Sequence, residues 1–216
     1  MNDGAGKLNQ GWTYCDRVHS GTAGQSVLDF YTCYYPHSSQ EIWRQRIEAG
    51  LVRLDDRITR ADAPLVAGQA LSYHRPPWRE PAVPGDWSIL YEDAALVVVA
   101  KPAGLPVLPG GGFLEHTLWA LVGRKYADKP APIHRLGRGT SGIVVFARSA
   151  QARRQLAADM RQGRLRKTYR ALASGTSMAD EFVIQEAIGR VAHPQLGYVY
   201  AAVPKGKDAR TECRVL

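Results

Sequence analysis

Apolar residues recur at helical spacing across residues 25–35, where Val27, Leu28, Tyr31, Tyr34 and Tyr35 keep to the 3.6-residue period. Ser39, followed by Gln40 and Glu41, opens a second helical pattern that runs to Gly50. Residues 51–54 then read as a short strand, Asp55 and Asp56 as a turn, and residues 57–59 as its partner; a further strand over residues 70–74 follows Gly68. Two helices and a small hairpin predict one compact unit.

Residues 75–85, RPPWREPAVPG, hold four prolines and suit an extended linker better than a helix or a central strand. Beyond it the pattern predicts strands over residues 89–92 and 96–100, a helix over 114–126 and a buried strand over 142–148. A basic amphipathic helix over residues 149–160 and a strand over 167–173 come next. Residues 182–216 alternate apolar and polar positions, with turn signals at His193-Pro194 and Lys205-Gly206. Strands and helices in this order predict an α+β protein with largely antiparallel sheet.

Composition changes this picture little: 45% hydrophobic and 22% charged residues in 216 are ordinary globular usage. Charge changes it more. The net charge is +8, yet residues 124–170 carry thirteen Lys or Arg against Asp128 and Asp159, a local +11, while the rest sums to −3. A positive field concentrated over several elements attracts a phosphate backbone through counterion release. A single arginine run would more often be a solvated helix face. Here the spread over elements favours RNA as partner.

Other chemistries lack their residues. Cys15, Cys33 and Cys213 are odd in number and without CxxC spacing, so they predict neither disulfides nor a thiolate zinc site and are expected to serve packing. The six histidines show no H-x3-H or HExxH arrangement, and no metal or cofactor is expected. Gly110-Gly111-Gly112 lacks the Lys and Ser/Thr of a P-loop and reads as a mobile loop. Ser141 has no G-x-S-x-G context for a nucleophile. The longest strongly apolar run, residues 94–100, is far shorter than a bilayer span, and the polar N-terminus has no signal core, so a cytoplasmic protein without a membrane partner is expected.

Three motifs in order carry a resemblance: YEDAALVVVAKPAGLPV at residues 91–107, PIHRLGRGTSGIVVFARS at 132–149 and RKTYRAL at 166–172. Together they resemble the RluA-type pseudouridine synthase family over about residues 88–216. IEAGLVRLDDRITRADAPLVAGQAL, within residues 25–75, resembles an S4-like RNA-binding module, although residues 41–62 hold five Arg against five acidic residues and lack a strong basic surface. The resemblance implies an N-terminal extension over residues 1–24, the module over 25–75, the Pro-rich linker over 76–87 and a catalytic-type domain over 88–216. It implies uridine isomerisation in RNA, on a nucleotide flipped from its stack, without metal or organic cofactor.

The resemblance also assigns roles. In the family an aspartate after HRL acts covalently on the flipped uridine; here that position is Gly137, and no Asp or Glu lies between Lys129 and Ala158. Arg135 is expected to organise the pocket through its planar guanidinium, and Tyr169, in the KxY motif, to lie against the uracil. His134, Arg138, Arg153, Arg154, Arg161, Arg164, Arg166 and Lys167 are expected to contact RNA, a structured ribosomal or transfer RNA. Thr140, Ser141 and Gly142 are expected to build a turn into the next strand. The chain ends at RTECRVL without the family's RTHQIR-like motif, which predicts a C-terminally truncated domain with an unpaired strand edge and exposed apolar surface. Two readings of function follow: an RNA pseudouridine synthase, or a noncatalytic RNA-binding or chaperone-like protein. The oligomeric state is open.

Overall fold

The computed structural model describes residues 8–173, 179–195 and 197–216, which form two compact units, Met1–Leu165 and Arg166–Leu216. The first unit contains two hydrophobic cores, one on either side of the Pro-rich segment.

The first core is built from helices α1 (Val27–Tyr34) and α2 (Gln40–Glu48) on a four-stranded sheet of β1 (Trp12–Arg17), β2 (Val52–Leu54), β3 (Arg57–Ile58) and β4 (Ala70–Arg75), ordered β1-β4-β2-β3. Ser26 and Ser39 cap the helices by accepting from the N–H groups of Asp29 and Ile42. The turn at Asp55 and Asp56 uses positive φ at both residues (49° and 63°), the backbone that a two-residue hairpin demands. Asp55 then secures it by accepting from Ala70 N–H and the Gln69 amide. At the centre Trp43 stacks on Tyr31 and meets Tyr73 edge to face, all three 7% exposed or less. Strand β1 was not foreseen. Its hydrogen bonds go to β4 in register from Trp12↔Arg75 to Arg17↔Ala70, so part of the expected N-terminal extension belongs to the sheet. Its side chains are mostly exposed, which hides it from a search for apolar alternation.

The second core lies under the sheet of β5 (Ser88–Glu92), β6 (Leu96–Lys101), β7 (Ala131–Pro132) and β8 (Gly142–Ala147), ordered β5-β6-β8-β7 and antiparallel throughout. Val97, Val99, Val144 and Phe146 point inward and pack on Leu118 and Val122 of α3 (Leu118–Lys125). Helix α4 (Ala150–Arg161), capped by Ser149, follows β8. The expected helix over residues 114–126 loses its first turn. The N–H groups of Leu114, Glu115 and His116 turn instead to the carboxylate of Glu80, and Thr117 caps what remains.

The Pro-rich segment has no helix or named strand, as its composition predicts, but it is anchored through Trp78 and Glu80. Asn9 receives the N–H of Trp78 and donates to Glu80, and the Trp78 indole N–H donates to the carbonyl of Gly112 at 2.7 Å. That contact and the reciprocal hydrogen bonds of Gly110 and Phe113 give the glycine run a defined turn. Burial raises the pKa of Glu80, but the N–H groups of Glu115, Leu114 and His116 and the Asn9 amide together outweigh it and hold the carboxyl below its usual range. A lowered folded pKa means stability that is complete above the usual carboxylate value and is lost as pH falls through the folded one. Glu80→Gln is therefore expected to lower the thermal midpoint at pH 7 by about 2–4 °C. The gap to wild type should close in melts taken at progressively acid pH; a gap constant with pH would refute this role.

The second unit pairs β9 (Glu181–Ile184) with β12 (Thr211–Arg214), and β10 (Ile188–His193) with β11 (Gly197–Ala202). Both turn signals fall where expected. The strand expected over residues 167–173 does not form; the segment finds no ladder partner among the described residues, and Tyr169 and Leu172 are exposed. None of this unit's described residues is buried. Cys15 and Cys33 are exposed and Cys213 half-buried, so packing is not the role of the first two.

Candidate RNA-modification site

The segment after β7 turns at residues 137–140, closed by the Thr140 N–H donating to the Gly137 carbonyl at 3.1 Å. The turn expected at Thr140–Gly142 thus lies three residues earlier, ending at Thr140, and Gly142 already begins β8. Leu136 fixes its entry by packing on the second core. His134 is half-buried, and its Nε2 accepts the Val145 N–H at 3.3 Å, holding the ring against β8. Arg135, Gly137 and Arg138 face solvent.

What holds the turn is a lysine. Parity along β6 places Lys101 on the inward side with Val97 and Val99, and only 2% of it is exposed. Its ammonium donates to the carbonyls of Leu105 (2.7 Å), Pro102 (2.8 Å) and Arg138 (3.3 Å). Burial pushes its pKa down. The Arg138 carbonyl also receives the Gly104 N–H at 2.7 Å. Gly104 has φ of +90°, and a Cβ there would stand 3.1 Å from the Pro84 ring, so glycine is needed. Thus the KPAGL loop grips the backbone of the HRLGRG turn. The continuous apolar run before Lys101 gives no parity by which a sequence could place the lysine inward.

Gly137 itself is unconstrained. A Cβ there would meet only Thr140 Oγ1, at an ordinary 3.5 Å, and its backbone lies outside the left-handed region. The Arg138 guanidinium lies 5.6 Å from the Phe113 ring centroid, which brings the Gly110–Phe113 turn to the site.

The basic residues divide into engaged and open. Arg148 donates to Asp128 at 2.8 Å and Glu92 at 3.2 Å, with Tyr126 bonded to the same Glu92. Burial, that hydrogen bond and the Glu92 charge push the Tyr126 hydroxyl up to about 12. Arg124 pairs with Glu115, and Arg164 with Asp159. Arg153, Arg154 and Arg161 stay exposed within about 100° of the α4 surface, and among the described residues neither they nor Arg135 form an ion pair. Ala152, Leu156 and Met160 make the half-buried stripe of the same helix. Arg166, Lys167 and Tyr169 belong to the second unit, where Tyr169 is 60% exposed.

A sequence model of the family described as RNA pseudouridylate synthase matches residues 95–216, more than half of the chain. The chain belongs to this family. It is 42% identical over 191 residues to an uncharacterized RNA pseudouridine synthase of Synechocystis sp., covering 88% of this chain and 66% of that protein. It is 36% identical over 242 residues to RNA pseudouridine synthase 5 of Arabidopsis thaliana, covering 97% and 66%. Ribosomal large subunit pseudouridine synthase D of Xylella fastidiosa is 32% identical over 206 residues, covering 92% and 61%. The chain thus spans about two thirds of the length of these pseudouridine synthases. Among solved structures, human RNA Pseudouridylate Synthase Domain Containing 4 is 23% identical, covers 58% of this chain and 52% of its own, and has a TM-score of 0.45. No helix of the described residues is long and apolar enough to cross a membrane.

Proposed function

We propose that this protein binds a structured ribosomal or transfer RNA in the cytoplasm and converts a uridine to pseudouridine at the turn formed by Arg135 to Thr140. The family match carries the proposal, and the grip of Lys101 and Gly104 on that turn supports it, because a nucleotide taken out of its stack needs a preformed receptor. Residues 25–75 act as the S4-like module and residues 88–216 as the catalytic-type domain. Arg135 holds the flipped nucleotide. No metal or organic cofactor takes part. The test is to incubate the full chain with cellular RNA and quantify pseudouridine by mass spectrometry; product above a no-enzyme control is expected.

A second reading, noncatalytic RNA binding, is favoured by one observation: Gly137 offers no carboxylate. RNA bound tightly without product would select it.

Both readings place RNA phosphates on Arg153, Arg154 and Arg161. Replacing all three with alanine is expected to weaken RNA binding and to reduce the slope of log K against log salt by about 2–3. Titrations across a salt series read both quantities, and an unchanged slope would remove α4 from the interface.

A further inference from the structure

The aromatic residues of the first core do not stop at the surface. Trp12 and Tyr14 lie two residues apart on β1, hence on one face and about 7 Å apart, and are 49% and 43% exposed. Strand β1 is the edge of its sheet. Tyr14 sits opposite Tyr73 with the rings nearly parallel, 6.1 Å between centroids and 13° between planes. Trp12 sits opposite Arg75, whose guanidinium lies 3.5 Å from the centroid of Trp78. Arg46 covers Tyr73 at 5.2 Å and Trp43 at 4.5 Å.

The row continues toward the modification turn. Trp78 donates to the carbonyl of Gly112, and the next residue, Phe113, lies under Arg138. Within one compact unit, Trp12 on β1 is thus linked to the turn of Arg138 through its strand partner Arg75, the Trp78 ring beneath that guanidinium and the Gly110–Phe113 turn, in which Phe113 itself is buried. Three carboxylates of these segments are engaged: Asp16 accepts from the Tyr35 hydroxyl, Glu80 from backbone N–H groups, and Glu115 from Arg124. An open hollow of about 490 Å³, lined in part by Gln10, Trp12, His74 and Arg75, flanks the start of β1.

Two exposed rings beside the arginine opposite them meet two needs of unpaired nucleotides: base faces to stack on, and a cation beside the phosphates. Bases in a duplex are stacked on one another and cannot use such a surface. We infer that Trp12 and Tyr14, with Arg75, form a stacking platform for unpaired nucleotides that flank the target uridine, leading them from β1 to the Gly137 turn. This rests on the proposed RNA function and adds a second contact area outside the modification turn.

The test compares fluorescence anisotropy of two labelled probes, a single-stranded oligouridine and an RNA duplex of similar charge, on wild type, on Trp12→Ala/Tyr14→Ala and on Trp12→Phe/Tyr14→Phe. The alanine pair is expected to lose roughly ten- to hundred-fold affinity for the single strand, with duplex binding and the salt slope unchanged. The phenylalanine pair keeps the rings and should bind within about twofold of wild type, which separates stacking from misfolding. Wild-type affinity of the alanine pair for oligouridine, or an equal loss on both probes, would overturn the platform while leaving RNA binding intact. A wild type that binds neither probe would overturn the RNA reading as well.

Discussion

Gly137→Asp is expected to raise pseudouridine formation by roughly a thousandfold or more over the parent chain, since removing a covalent nucleophile costs an enzyme several orders of magnitude. The position accepts the change: a Cβ has only Thr140 Oγ1 near it, at 3.5 Å. Aspartate also suits the first position of a turn closed from residue 140 to residue 137, and losing glycine's freedom in the unfolded chain should add about 0.4–1 kcal/mol of stability. Mass spectrometry of treated RNA and a thermal melt check both statements. Equal activity in parent and variant would mean that another group supplies the chemistry. Inactivity of both on an RNA that they bind would show that a carboxylate at residue 137 is not sufficient.

Lys101→Met should have the second largest effect. The substitution keeps the aliphatic stem but removes three donated hydrogen bonds at once. Two terms compete. An ammonium buried without a carboxylate carries a desolvation cost that methionine avoids, while the carbonyls of Pro102 and Leu105 lose a charge-assisted donor where water has little access. The second term is larger because three bonds go together, and a loss of about 1–3 kcal/mol in urea unfolding is expected. The Arg138 carbonyl keeps the Gly104 N–H, so the turn loosens without detaching. A further signature follows from the lowered lysine pKa. Between the folded and the ordinary lysine values the unfolded chain holds more protons, so wild type gains stability with rising alkaline pH, and the methionine variant should not. Equal or higher stability of the variant at neutral pH would contradict this account.

The sequence displayed the elements whose burial alternates or whose ends carry a cap. Helices α1, α2 and α4 begin after serines that accept an N–H three residues on, and Asp55-Asp56 turns the chain where a hairpin was foreseen. The family was legible for a different reason: three motifs occur in order along the chain. Strand β1 escaped because the alternation of Trp12 and Tyr14 ends after two residues, at Asp16 on the same face. The first turn expected of α3 was lost to Glu80, a residue thirty-four positions earlier, and no local pattern announces such a partner. Lys101 was overlooked because lysine is ordinarily a surface residue; its burial depends on carbonyls from two loops that meet only in the folded chain. Charge counting identified the basic region but could not separate Arg148, tied to Asp128 and Glu92, from the open arginines of α4.

The anchoring of Trp78 and Glu80 on residues 112–116 bears on the order of folding. Hairpin β2–β3 and strand β4 need only nearby chain, whereas β1 must wait for Arg75 and closes a loop of more than fifty residues. The carboxylate of Glu80 waits longer still, until His116 has left the ribosome. A nascent chain paused before that point would carry a nearly complete first sheet with its strap untied, and the tryptophan that carries Arg75 would be free of its carbonyl partner. Ribosome-bound chains of increasing length should therefore acquire protease resistance in two steps, the first when β4 emerges and the second when residues 112–116 do.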